Sequence, residues 1–200
     1  MKKLLLPILF LCSLTCFSQK KDKREGVYSA YLSSVDVPKE MKKGVIDSLS
    51  SIYEDDLIKI DWGYAISQIE FELKNKSDQT LKIIWDDAAF ISISNESGRI
   101  FHKGIKYIDR ENSQPSTSVY KGTILSDLVL PTSFAYLVPG QYGGWRSLPL
   151  IPIIQSTWSK KIEYKPELIG QTMRVILPLK IEEKLIEYVF SFKTKFIEKK

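Results

Sequence analysis

His102 is the only histidine in this 200-residue chain, and with the carboxylates around it forms the set of residues able to do acid–base chemistry. A histidine base needs a nucleophile or an orienting carboxylate within hydrogen-bond reach. Asp86, Asp87, Asp109 and Glu111 lie in nearby loop-like sequence, so a hydrolase built from His102 and these acids is one expectation. The spacing gives it no further support. There is no G-x-S-x-G elbow to mark a serine nucleophile. A single histidine excludes the two- and three-histidine zinc sites within one chain. The acid pairs Asp55-Asp56 and Asp86-Asp87 lack the D-x-D-x-D-G spacing of a calcium loop. Two such carboxylates would make a glycosidase pair only at a suitable separation in space. The reading is therefore of a non-enzymatic protein with no metal and no cofactor, and the carboxylate hydrolase is its alternative.

The segment Pro139-Gly140-Gln141-Tyr142-Gly143-Gly144-Trp145-Arg146 points to recognition instead. Tyr, Trp and Arg dominate contact hot spots, and the glycines let a loop present them. Tyr142, Trp145 and Arg146 are thus the candidate binding residues, for a protein or an envelope component. The competing role for Trp145 is to fold back and cap an open end of the core, since large aromatic side chains are mostly buried.

Both thiols, Cys12 and Cys16, fall in an apolar leader. Lys2 and Lys3 give it a positive start, Leu4 to Leu14 an apolar run, and Cys16-Phe17-Ser18 a small-x-small cleavage pattern. Residues 1–18 read as a signal peptide, and the protein as exported, periplasmic or secreted. The alternative is a lipid anchor on Cys16; Ser13 and Thr15 match the lipoprotein rule poorly. The apolar run is short of the ~20 residues that span a bilayer, and no later segment reaches that length. The leader resembles export signals of the Bacteroidota.

Removing the leader removes Lys2 and Lys3 and no acid, leaving 27 basic and 24 acidic residues, a net charge of +3. The excess sits in the tails, in Lys20-Lys21-Asp22-Lys23-Arg24 and in Lys193, Lys195, Lys199 and Lys200. Nucleic-acid binding wants a clustered basic face with a reader motif, and neither is present. With no cysteine after Cys16, disulfides are excluded as staples and the fold must rest on burial.

The elements that would position these residues are mostly strands. Residues 19–25 read as a disordered lead-in, and 26–200 as one domain. Val27 to Val35 reads as a first strand. From Pro38 to Ile52, Met41, Val45, Leu49 and Ile52 recur at helical steps and predict one short helix. From Leu57 the period becomes two. Ile58, Ile60 and Trp62 alternate with Lys59 and Asp61, and Ile69, Phe71 and Leu73 repeat the pattern. The polar cluster Asn75 to Gln79 then joins that strand to Leu81, Ile83 and Trp85 as an expected hairpin. A second hairpin is expected around Asn95 to Gly98, and a third from Met173–Ile181 and Leu185–Phe196. Short strands, regular turns and little helix predict an all-β antiparallel sandwich, with a β-barrel as the alternative.

The run Phe71-Glu72-Leu73-Lys74-Asn75-Lys76-Ser77, followed by Leu81-Lys82-Ile83, resembles an opening of small exported immunoglobulin-like sandwiches. The water-stress and hypersensitive-response family and several uncharacterised bacterial lipoprotein families carry such an F-x-L-x-N-x-S/T strand and turn. The resemblance covers about fifteen residues. It implies a sandwich fold and a binding or structural module.

Overall fold

The computed structural model describes residues 22–153 and 161–199, so the leader and Cys16 lie outside the described residues. Among the described residues fifteen strands follow one another, beginning with β1 (Lys23–Asp36), β2 (Val45–Asp47), β3 (Ile52–Glu54), β4 (Ile58–Tyr64) and β5 (Ile69–Asn75). Next come β6 (Leu81–Ile83), β7 (Ala89–Ile91), β8 (Ser97–Phe101), β9 (Thr117–Val119) and β10 (Ile124–Pro131). The last five are β11 (Ala135–Val138), β12 (Gly144–Ser147), β13 (Lys161–Glu163), β14 (Thr172–Ile181) and β15 (Lys184–Glu198). Among the described residues the only helices are single 3-10 turns, such as Trp85–Asp87 and Tyr107–Asp109.

The chain is all-β, as its alternating pattern predicts. Thirteen strands form one curled antiparallel sheet, a half-barrel. Its spatial order is β13-β1-β15-β14-β7-β8-β10-β5-β4-β3-β2, with β6 branching off β14 and β9 paired to β6. The curl turns at β8: residues 97–99 pair with β7, while Ile100 and Phe101 pair with β10. The two limbs then face each other across the core.

Strict alternation fills that core. In β5 the buried residues are Ile69, Phe71, Leu73 and Asn75, with Glu70, Glu72 and Lys74 outside. Trp62 packs on Phe71, Phe190 and Phe192, with ring centroids 5.1, 4.8 and 5.3 Å away. Each such fully buried apolar side chain contributes about 1.5–3 kcal/mol, and no disulfide is needed to hold the limbs.

One polar group also ties the limbs together. The buried carboxylate of Asp55 accepts the hydroxyls of Tyr53 (3.0 Å) and Tyr188 (2.8 Å) on Oδ2. Its Oδ1 accepts the backbone amides of Leu57 and Ile58, both at 2.8 Å. Four donors fill the acceptor sites of the carboxylate, so its burial is compensated. Burial, followed by the nearby Asp55 charge, pushes both tyrosine hydroxyls well above their ordinary range.

Three expectations are corrected. The helix over 38–52 is replaced by the β2–β3 hairpin, because its apolar residues do not share a buried face: Leu49 is 97% and Val45 76% exposed. Asp47 folds this turn by accepting the amides of Leu49 and Ser50. Gly44 lets the chain lie against β3, since a Cβ there would sit 2.3 Å from the Glu54 carbonyl oxygen. The hairpin expected across Asn75 to Gln79 is a crossover instead. Strand β5 pairs with β4 and β10, and β6 with β14 and β9, in the other limb. Asn75 builds the crossing from inside: its amide donates to the carbonyls of Gln79 and Val119, and its Oδ1 accepts from Ser77. Finally, the disordered lead-in over 19–25 gives way to strand at Lys23. Residues 23–25 pair with β13, and the Arg24 guanidinium lies 3.7 Å above the Tyr164 ring.

Candidate functional site

Strands β11 and β12 form a two-stranded ribbon separate from the large sheet. Its register sets Tyr136 opposite Arg146 and Leu137 opposite Trp145. Side chains alternate across a ribbon, so Tyr136 and Arg146 share one face, and Leu137 and Trp145 the other. The connecting turn spans residues 139–143. Gly143 is required there, because a Cβ would lie 2.1 Å from the Val138 carbonyl oxygen.

The Trp145 face rests on the body of the protein. Its ring stacks on Tyr107 at 5.7 Å with a 22° interplanar angle, and the Arg110 guanidinium lies 4.9 Å over it. Both partners are themselves fixed. Arg110 donates to the carbonyls of Thr132 and Tyr107, and the Tyr107 hydroxyl is 3.2 Å from Ser147 Oγ. Tyr107 also packs with Phe101, Leu130, Ala135, Ile105 and Leu128 in a small second core. Trp145 is therefore half-buried and anchors the ribbon on Tyr107 and Arg110.

Tyr142 and Arg146 stand outward. Tyr142, in the turn, is 88% exposed. Arg146 is exposed and makes no hydrogen bond or ion pair among the described residues. Tyr136, Leu137 and Leu148 add exposed apolar surface along the same ribbon. At its base the described residues line a cleft of about 360 Å³, with Ile93, Phe134, Leu148, Pro149 and Leu150 in its walls.

The structure gives His102 a different carboxylate from the four proposed. Nδ1 lies 3.1 Å from Asp127 Oδ2, and Asp127 Oδ1 accepts the amides of Lys103 and Leu128 at 2.8 Å. The imidazole is buried and stacks flat on Trp85, with centroids 4.1 Å apart. Its Nε2 is buried and has no hydrogen-bond partner among the described residues, so none of them offers a nucleophile in contact with it. Asp86 bonds instead to Ser113, to the Gln114 amide and to Arg99. The Ser113 hydroxyl first, and then the Gln114 amide, hold its carboxyl below the usual range. Glu111 lies 3.7 Å from Arg110, Asp109 accepts from Asn112, and Asp87 is exposed. None of the four bonds to His102. Asp55 is occupied by its four donors, Asp56 is exposed, and the described residues contain no cluster of three or more metal-ligating side chains.

Sequence reasoning missed Tyr107, Arg110 and Tyr136 as members of the site, and Asp127 as the partner of His102. The outward position of Tyr136 follows from pairing with Arg146 once the ribbon is known. The Tyr107 and Arg110 contacts are long-range and carry no local signal.

No family model matches the chain, and neither a curated protein nor a solved structure matches it. Among the described residues no helix is long and apolar enough to cross a membrane.

Proposed function

We propose that this is an exported, non-enzymatic binding protein of the cell envelope, which engages a protein or envelope component through the 135–147 ribbon. The observation that carries the reading is the division of labour within eight residues. Trp145 fastens the ribbon to Tyr107 and Arg110, while Tyr142 and Arg146 are left without structural work. Hot-spot residue types held on a rigid base and facing solvent are the composition of a contact surface. The leader supports export by cleavage after Ser18, with a lipid anchor on Cys16 as the alternative.

The test is the double substitution Tyr142→Ala/Arg146→Ala, which spares the Trp145 anchor. Capture of the envelope partner should fall at least tenfold, the loss of about 1.4 kcal/mol or more typical of a hot spot. The thermal midpoint should move by no more than a surface change allows, within about 0.5 kcal/mol of stability. Undiminished capture, or a large fall in the midpoint, would overturn the reading.

A further inference from the structure

Arg146 differs from every other arginine in the chain. Arg24 is paired with Asp22 and Glu198 and stacked on Tyr164. Arg99 bonds to Asp86 and to the carbonyls of Glu111 and Asn112. Arg110 is fixed by two carbonyls and by Glu111, and Arg174 reaches Asn95 Oδ1. Arg146 alone has no partner among the described residues. The surrounding sequence denies it one: from Leu128 to Ile162 there is no Asp and no Glu. Its cross-strand neighbour is Tyr136, 44% exposed, and the turn beside it presents Tyr142.

Resting on the reading of the ribbon as a contact surface, we infer that Arg146 is a carboxylate receptor, and that the partner is a protein segment carrying an acidic residue beside an apolar one. A guanidinium offers a planar fork that fits a carboxylate with two parallel bonds. The phenols of Tyr136 and Tyr142 supply apolar area with a polar tip, suited to the neighbouring apolar side chain. A lipid surface fits less well, since attraction to anionic headgroups works through clusters of basic residues. The ribbon carries one.

The inference is tested by titrating the ¹⁵N-labelled protein with two peptides, acetyl-Leu-Ala-Glu-Phe-Leu-amide and its Gln counterpart, while following the amide resonances of residues 135–147. The Glu peptide should bind about tenfold or more tightly than the Gln peptide, the worth of a charge-assisted pair. Arg146→Gln should erase the difference, Arg146→Lys should keep part of it, and raising the salt should shrink it. Equal response to both peptides, abolished by Tyr142→Ala, would overturn the carboxylate inference and leave the binding ribbon standing. No response to either peptide also overturns it, and the capture assay then judges the ribbon by itself. Arg146-dependent sedimentation with phosphatidylglycerol vesicles, without a peptide response, would assign the anion to lipid and overturn it as well.

Discussion

The Asp55 node and the 135–147 ribbon treat similar residues in opposite ways. At the node a carboxylate and two tyrosines are buried, and every polar atom of the carboxylate has a donor. At the ribbon two tyrosines and a guanidinium are exposed, and the guanidinium has no acceptor among the described residues. Buried polar groups must be satisfied inside the protein because water cannot reach them. Exposed ones can be left open, and an open Arg–Tyr group with a fixed base is suited to something outside the chain. The contrast separates residues that hold the limbs together from residues available for contact.

The sharpest way to break this comparison is to remove the node. Asp55→Ala strands two buried hydroxyls and two amides at once, and should cost about 4 kcal/mol in urea unfolding. A loss as small as that of a surface variant would mean the node does not join the limbs.

Next in size is the alkaline response. Tyr53 and Tyr188 are held neutral by burial and then by Asp55, so their folded values lie above the unfolded value near 10. Their stabilisation is complete below pH ~10 and is lost as the pH rises toward the folded values. The expected decline is about 1.4 kcal/mol per pH unit for each tyrosine above pH ~10. Tyr188→Phe should remove one tyrosine's share of that slope; an unchanged slope would contradict the assignment.

Smaller again is Trp145→Ala, which deletes one ring stack and one cation–π contact, worth about 2 kcal/mol locally. Hydrogen exchange should quicken in β11 and β12 while β14 and β15 stay protected. Uniform quickening would place Trp145 in the global core.

Local patterns made much of the fold legible. Alternation located β4, β5, β14 and β15, and the polar cluster at Asn75 was visible as a turn. Its destination was not, because the same turn residues serve a hairpin or a crossover, and the choice lies with β10 and β14, far away in sequence. The helical spacing from Met41 to Ile52 misled because spacing shows which residues would align, not whether anything covers them. At the site, Tyr142, Trp145 and Arg146 stood out by type. That Trp145 faces inward depends on Tyr107 and Arg110, some 35 residues earlier, and the Asp127 partner of His102 likewise depends on how β8 meets β10.

The most direct test of the central claim is site-specific photocrosslinking in intact cells, with the photoreactive side chain placed at position 142 and, as reference, at Leu49, which is 97% exposed in the β2–β3 turn. The account predicts a discrete adduct from position 142 and none from 49. Equal labelling at the two positions, or no adduct from 142, would contradict it.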